Sequence, residues 1–235
     1  MATLAPPPAD LIIFDCDGVL VDSEPLAMRV LLAGIAERGV TVDEALAYER
    51  LLGRSLASVI ETVQRDFGVA LEADALERMR EQLYDLFRRE LRATLGIAET
   101  LERLDLPVCV ASSSQMERIR LSLELTGLAR YFGDNVFSAA MVARGKPAPD
   151  LFLFAASRMH AAPERCIVIE DSPAGIEAAR AAGMRVFAFT GGGHARSETH
   201  RRRLEALAPD AVFDDMAQLA GLIENAGADR TFGGT

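Results

Sequence analysis

The sequence predicts a doubly wound α/β core into which a helical subdomain is inserted, and two observations support this prediction. First, one unit recurs along the chain: a short apolar run, then small or acidic residues, then a helical pattern. Second, about seventy residues between Leu20 and Arg92 carry helical patterns and no strand pattern. Alternating strands and helices are typical of a parallel sheet that is covered on both faces.

Six apolar runs are the candidate strands. Near-continuous apolar sequence, often β-branched, is typical of strands that are buried on both faces of a sheet. In chain order the predicted strands are residues 11–14, 108–111, 136–137, 166–169, 186–189 and, with a weaker pattern, 211–213.

The helices between these runs are indicated by apolar spacing and by residues that favour helix ends. Ile97, Leu101 and Leu104 recur at the spacing of one helix face. Pro173 suits the first position of a helix, and Gly183 suits the residue just past the end of the same helix. Helices therefore alternate with strands, as a doubly wound fold requires.

The stretch without a strand is too long to be a single crossover connection and is therefore interpreted as an inserted unit. We expect a helical cap domain over residues 21–92 and a core domain formed by residues 1–20 and 93–235. Because the insertion follows the first strand directly, the cap would lie over the carboxyl edge of the sheet, where open α/β sheets bind ligands.

Composition and charge exclude several classes of protein. Half of the 235 residues are hydrophobic, which is enough to build a core and excludes a wholly disordered chain. The formal net charge of −10 argues against a nucleic-acid partner, because phosphates repel such a chain. The basic run at residues 200–203 is interpreted as the exposed face of a late helix. No apolar run approaches the roughly 18 residues of a membrane span, so no membrane partner is expected.

The cysteines and the N-terminal residues favour a reducing compartment. Cys16, Cys109 and Cys166 form neither a disulfide framework nor a metal-ligand spacing, and each lies in or beside an apolar run. The first eight residues lack the basic and apolar segments of a secretory signal. We therefore expect a cytoplasmic protein with reduced, buried thiols. Separately, we expect the protein to be a monomer.

Polar side chains follow several of the predicted strands. Because the carboxyl ends of parallel strands meet at one edge of a sheet, we expect these side chains to lie close together. The set consists of Asp15 and Asp17 after the first strand, Ser112, Ser113 and Ser114 after the second, Lys146 in a later loop, and Glu170 and Asp171 after the 166–169 strand.

This set of residues favours phosphoryl transfer. Carboxylates brought that close repel one another, and a hard cation such as Mg²⁺ relieves the repulsion and leaves room for phosphate oxygens. Lys146 and the serines add positive charge and hydrogen-bond donors that suit a phosphoryl group. A carboxylate at the strand end can attack phosphorus, and Asp17, turned to the same side by Gly18, can exchange a proton with the leaving oxygen and with water.

The first acidic segment, Asp15-Cys16-Asp17-Gly18-Val19-Leu20-Val21-Asp22-Ser23, resembles the first motif of the haloacid dehalogenase superfamily. The remaining motifs follow in the order of that family: Ser112 as the hydroxyl motif, Lys146 as the lysine motif, and Glu170-Asp171 as the acidic motif. The resemblance extends over essentially the whole chain. It is to the subgroup with a helical cap after the first motif, which contains β-phosphoglucomutases and small sugar-phosphate phosphatases.

The resemblance implies a Rossmann-like core and a role for each motif. Asp15 would be the nucleophile and Asp17 the general acid/base, with Ser112 and Lys146 also catalytic. Mg²⁺ would be held by Asp15, the Asp17 carbonyl and Asp171, and Glu170 would be a further ligand or would support the others. The substrate would be a small phosphorylated metabolite bound in part by Arg54, Ser113 and Ser114.

Simpler structural interpretations remain open for several of these residues. Ser112–Ser114 could cap the helix that begins near Gln115, and Lys146 could be a surface lysine in a turn. Glu170 could interact only with a helix dipole. Arg54, in Leu52-Gly53-Arg54-Ser55, could be an ordinary exposed arginine that opens a helix.

The leading hypothesis for function is a Mg²⁺-dependent phosphatase of a sugar phosphate or sugar-acid phosphate. The alternatives are a mutase of the β-phosphoglucomutase type and a fold relative without activity; Asp17 argues against dehalogenation, which does not need it. In the mutases that the chain resembles, the cap loop reads Gly-Val-Ser-Arg, whereas here Arg54 follows Gly53 directly. Arg54 therefore lies two residues nearer the glycine than the arginine of the mutases does. On a helix, a shift of two residues would turn the side chain by roughly 200°, which favours the phosphatase.

Overall fold

The computed structural model describes residues 8–51, 56–193 and 198–228. Within them the predicted parallel sheet is confirmed, and each strand lies within one residue of its expected bounds. The strands are β1 (Leu11–Phe14), β2 (Val108–Ser112), β3 (Val136–Ser138), β4 (Cys166–Glu170), β5 (Arg185–Phe189) and β6 (Ala211–Phe213). They are parallel and lie in the order β3-β2-β1-β4-β5-β6, so β1 is central and pairs with β2 and β4.

Helices alternate with the strands as expected. Those that precede β2 are α1 (Glu24–Ala36), α2 (Glu44–Leu51), α3 (Leu56–Phe67), α4 (Ala73–Glu90) and α5 (Ile97–Arg103). Those that follow it are α6 (Met116–Leu125), α7 (Ala129–Phe132), α8 (Asp150–Arg158), α9 (Pro173–Ala181), α10 (Glu198–Ala206) and α11 (Leu219–Ala228). Pro173 begins α9, and Gly183 lies just past its end with a positive φ of 73°.

The core has two layers, one on each face of the sheet. Successive side chains of β1 point to opposite faces. Ile12 and Phe14 therefore pack with α5, α6, α7 and α11, whereas Leu11 and Ile13 pack with α8, α9 and α10. This two-sided burial explains why the strands read as continuous apolar runs.

Residues 21–92 contain α1–α4, and one isolated bridge with two backbone hydrogen bonds marks where this stretch leaves the core. Val21 bridges Ala93, the Asp22 amide donates to the Arg92 carbonyl at 3.0 Å, and the Thr94 amide donates to the Leu20 carbonyl at 2.9 Å. The insertion has an apolar cluster of its own, which includes Met28, Ile35, Leu51, Val63 and Val69. We propose that this stretch is a cap domain over a core of residues 1–20 and 93–235.

The three cysteines are buried free thiols, as expected from the sequence. In the parts of the chain that the structure describes, every helix is too short or too polar to cross a bilayer.

Candidate active site

The site lies at the carboxyl ends of the three central strands. Phe14, the last residue of β1, pairs with Val110 on one side and with Ile169 on the other. The next residue, Asp15, donates its amide to the Ile169 carbonyl at 2.9 Å, so the strand register carries into the acidic turn. Gly18 then takes a positive φ of 82°, which returns the chain sharply after Asp17.

Lys146 joins the first and last motifs. Its Nζ lies 2.7 Å from Asp15 Oδ1 and 2.6 Å from Glu170 Oε1, and its side chain is only 3% exposed. Burial alone would lower the pKa of Lys146, but the two carboxylates raise it above its ordinary value. Lys146 is therefore a buried, charged member of the site, and the interpretation as a surface lysine in a turn is wrong.

The carboxylate of Glu170 is occupied by donors from its own chain. Oε1 accepts from Lys146, and Oε2 accepts from the Asp171 amide at 2.9 Å, the Ser172 amide at 2.8 Å and the Ser172 hydroxyl at 2.9 Å. This arrangement favours a supporting role for Glu170 over direct metal ligation, since both oxygens already have partners.

Asp17 accepts three short hydrogen bonds. The Ser23 hydroxyl and Arg118 Nη2 donate to Oδ1 at 2.5 and 2.6 Å, and the Ser114 hydroxyl donates to Oδ2 at 2.6 Å. Burial alone would raise the pKa of Asp17, but Arg118 and the two hydroxyls hold it below its ordinary value. Arg118 was not predicted from the sequence. A cation in the first turn of a helix, as in α6, opposes the helix dipole and was the signal that could have identified it.

Asp15 has the opposite electrostatic surroundings. Burial raises its pKa well above the ordinary value, Lys146 opposes this change, and Glu170, Asp171 and Asp17 add to it. Negative charge thus accumulates around Asp15 with Lys146 as the close counterion.

The three serines at the end of β2 and directly after it do not cap α6. The residue at the cap position is Gln115, without a side-chain hydrogen bond, so the capping interpretation is wrong. Ser112 is buried and its hydroxyl oxygen accepts from the Ser114 amide at 3.1 Å. Ser114 instead directs its hydroxyl to Asp17, and Ser113 is exposed.

His200 is a second residue that the sequence did not reveal. Residues 200–203 were expected to form an exposed helix face, and Arg201 and Arg202 do lie at the surface of α10 in pairs with Glu205 and Glu198. His200, in contrast, is 6% exposed, and its Nε2 lies 2.8 Å from the Asp171 carbonyl. Because a carbonyl only accepts, Nε2 is the donor, and this hydrogen bond holds the backbone of Asp171 in place.

Arg54 lies outside the described residues, so its predicted role in the cap stays a prediction. Among the residues that are described, no three His, Cys, Asp or Glu side chains form a ready-made metal cluster. The ligands expected for Mg²⁺ include only two side chains, the carboxylates of Asp15 and Asp171. The third expected ligand is the Asp17 carbonyl, and Glu170 would only support them. The negative charge around Asp15 fits such a cation.

Comparison with known proteins adds to this geometry. Residues 9–183 match the haloacid dehalogenase-like hydrolases, a range that includes all the site residues above except His200. The chain is also similar to the 6-phosphogluconate phosphatase of Escherichia coli (strain K12), with 32% identity over 223 residues that cover 94% of this chain and 98% of that relative.

Two solved structures share the fold over nearly their full length. A conserved haloacid dehalogenase-like protein of unknown function from Agrobacterium tumefaciens str. C58 has 36% identity and a TM-score of 0.83, covering 92% of this chain and 98% of its own. A hydrolase of the same superfamily from Deinococcus radiodurans R1, with bound phosphate and sodium, has 31% identity and a TM-score of 0.76, covering 94% and 97%.

Proposed function

We propose that this chain, which belongs to the haloacid dehalogenase-like hydrolase family and is a phosphatase, hydrolyses a small sugar phosphate or sugar-acid phosphate through a phosphorylated Asp15. One observation carries the proposal. Two carboxylates that lie two residues apart just after β1 are held by different cations: Lys146 contacts Asp15, and Arg118 contacts Asp17. Because each carboxylate has a cation of its own, the two can take separate roles in one site.

The first step is attack on the substrate. The Asp15 carboxylate attacks phosphorus, a P–O bond forms to Asp15, and the bond to the sugar oxygen breaks. Asp17 gives its proton to that oxygen as it leaves. Lys146, and the hydroxyl of Ser112 at the end of β2, stabilise the negative charge of the phosphoryl group.

The second step regenerates the enzyme. Water attacks phosphorus, the P–O bond to Asp15 breaks, and Asp17 takes the proton that water loses. Inorganic phosphate leaves, and Asp15 is again a carboxylate with Asp17 protonated for the next cycle.

Mg²⁺ is the proposed cofactor. Asp15, Asp171 and the Asp17 carbonyl would hold it, and when bound it neutralises charge between the carboxylates and the substrate phosphate. The accumulation of carboxylates around Asp15 supports this proposal. The Deinococcus radiodurans relative also binds an anion and a cation, phosphate and sodium.

The substrate class is proposed from the relatives and from the cap. The Escherichia coli relative acts on 6-phosphogluconate, a sugar acid that carries a phosphate at the end opposite its carboxylate. We propose that Ser113 and Ser114 contact the bound substrate from the core and that Arg54 contacts its far end from the cap.

The test is phosphate release from a panel of sugar phosphates and sugar-acid phosphates, with Mg²⁺ and with EDTA, by the wild type and by Asp15→Asn. We expect Mg²⁺-dependent release by the wild type and none by the variant, since an amide keeps the shape of Asp15 but is a very poor nucleophile. The thermal unfolding of Asp15→Asn is measured alongside, to exclude misfolding. Turnover by Asp15→Asn within tenfold of the wild type would contradict the covalent mechanism, and full activity in EDTA would contradict the metal.

A further inference from the structure

Arg118 binds Asp17, the proposed acid/base residue, although Arg118 belongs to none of the motifs identified in the sequence. Its Nη2 lies 2.6 Å from Asp17 Oδ1, and the two side chains are 21% and 12% exposed. In the described part of the chain, Arg118 is the cation that is hydrogen-bonded to Asp17, whereas Lys146 contacts Asp15 and Glu170. Each of the two cations therefore contacts its own proposed catalytic carboxylate.

The position of Arg118 in α6 is unfavourable in two respects. It lies in the first turn of α6, where the helix dipole disfavours a cation. Its Nε is buried and makes no hydrogen bond within the described structure. Burial of a polar N–H without a partner costs free energy, so the packing of α6 does not explain this residue.

An aromatic ring holds Arg118 from the other side. The guanidinium carbon lies 5.4 Å from the ring centroid of Phe87, which is 1% exposed and belongs to α4 of the proposed cap. A cation over an aromatic face is attracted to it, and the ring also limits the rotation of the guanidinium group. Arg118 is thus fixed between the core carboxylate that it binds and a ring of the inserted helices.

All the partners of Asp17 donate to it. Ser23 and Arg118 donate to one oxygen and Ser114 to the other. A carboxylate held in this way is oriented as a proton acceptor, which is the role of Asp17 in the second step of the proposed mechanism and not in the first.

We propose that Arg118 is a positioning residue that holds Asp17 ready to take the proton of the attacking water, and that Phe87 holds Arg118 in place. The inference rests on the proposed function. In the step concerned, the oxygen of water bonds to phosphorus, the bond from phosphorus to Asp15 breaks, and the water proton moves to Asp17. Loss of Arg118 slows this hydrolysis and leaves the phosphorylation of Asp15 intact, so phosphorylated enzyme accumulates.

The experiment uses p-nitrophenyl phosphate, whose coloured product leaves as a stable anion when Asp15 is phosphorylated. For Arg118→Met we expect a burst of p-nitrophenolate equal to the enzyme concentration, followed by a slower steady state. Its kcat should be about tenfold or more below wild type, and the loss should not exceed the roughly 10²–10⁴-fold that acid–base catalysis contributes. KM should fall with kcat, leaving kcat/KM within about threefold, because that ratio reports only the steps up to phosphorylation. Mass spectrometry of the quenched protein should detect the phosphoryl group on Asp15.

Three further variants test whether the effect depends on the charge of Arg118 and on its contacts. Arg118→Lys retains the charge and should recover part of the loss, and Phe87→Leu should shift kcat and KM in the same direction by a smaller factor. Arg80→Met is the matched control, since Arg80 also pairs with a carboxylate, Glu117, at 2.7 Å and lies 5.6 Å from an aromatic ring, Tyr84, at the same contact between α4 and α6. It does not contact Asp17 and should behave as wild type.

The outcomes separate this inference from the proposed function. Unchanged kcat in Arg118→Met, or equal losses in kcat and kcat/KM without a burst, would overturn the positioning role while the wild-type activity stands. A wild type that releases no phosphate from any substrate of the panel would instead overturn the proposed function itself.

Discussion

At the scale of single residues, Gly175 explains how the Glu170 carboxylate fits at the start of α9. A Cβ built on Gly175 would lie 1.8 Å from Glu170 Oε1 and 1.9 Å from its Cδ. The carboxylate therefore occupies the space that any other residue would fill, and from there it holds Lys146 and the amides that follow β4. The absence of a side chain at Gly175 is a requirement of the site.

We therefore expect Gly175→Ala to displace Glu170 and with it Lys146. Activity should fall by about 10²-fold, as for other misplacements of about 1 Å, and overpacking should lower the free energy of unfolding by roughly 1–3 kcal/mol. Phosphate release and denaturant unfolding measure the two effects.

Gly221→Ala is the matched control, because this glycine is also helical, in α11, and a Cβ there meets nothing within 4 Å. It should keep full activity and raise the free energy of unfolding by roughly 0.5–1 kcal/mol, the difference between alanine and glycine in a helix. Equal behaviour of the two variants would refute the steric argument.

The sequence was sufficient to predict the site residues that lie at or next to the end of a strand. Asp15 and Glu170 directly follow or end strands, so the strand pattern alone places them at the carboxyl edge. Arg118 and Asp17 are 101 positions apart, and His200 and Asp171 are 29 apart. Such contacts depend on how a helix packs on the sheet, which apolar periodicity does not specify.

At the scale of elements, the two connections to residues 21–92 run side by side. The hydrogen bonds Asp22–Arg92 and Thr94–Leu20 join them as a short antiparallel pair. Two paired connections can bend together but cannot move independently. We therefore expect α1–α4 to move as one unit relative to the rest of the chain. The strands and helices themselves were predictable because two-sided burial and helix-end residues leave strong local patterns, whereas this pairing of linkers leaves none.

We expect that fixing α4 to α6 stops turnover. Arg80 and Glu117 face each other across these helices, and the three native thiols are buried, so cysteines placed at positions 80 and 117 can be joined selectively by a cleavable cross-linker. Cross-linking should lower the steady-state rate about tenfold or more, because substrate must enter beneath the proposed cap, and cleavage of the linker should restore it.

Each single-cysteine variant, treated with the same reagent, controls for modification alone. An undiminished rate in the cross-linked protein would show that opening of the cap is not needed for turnover.

At the scale of the whole molecule, the chain carries a net charge of −10, and three of its carboxylates, Asp15, Glu170 and Asp171, are buried close together at the site. The pKa of Asp15 is raised by burial and by its acidic neighbours, so its contribution to stability is present at acidic pH and is lost as the pH rises through the raised value. When Asp15 has lost its proton at higher pH, a bound cation would neutralise its negative charge instead.

Mg²⁺ should therefore stabilise the protein more at about pH 7.5 than at about pH 5. At a hundred times the dissociation constant, a ligand adds about 2.7 kcal/mol, which for a chain of this size corresponds to a rise in Tm of roughly 5–10 °C. Thermal unfolding with EDTA and with Mg²⁺ measures this difference. Asp15→Asn should reduce the rise, and an equal rise at both pH values would contradict the link between Asp15 and the metal.

The central place of β1 in the sheet also has a consequence for synthesis of the chain. β1 is made about ninety residues before its partner β2 and about 150 residues before its other partner β4. At roughly 5–20 residues per second, the ribosome leaves one edge of this apolar strand unpaired for roughly 8–30 s. Asp15, the proposed nucleophile, is thus translated well before β4, Glu170 and Asp171, which complete its surroundings.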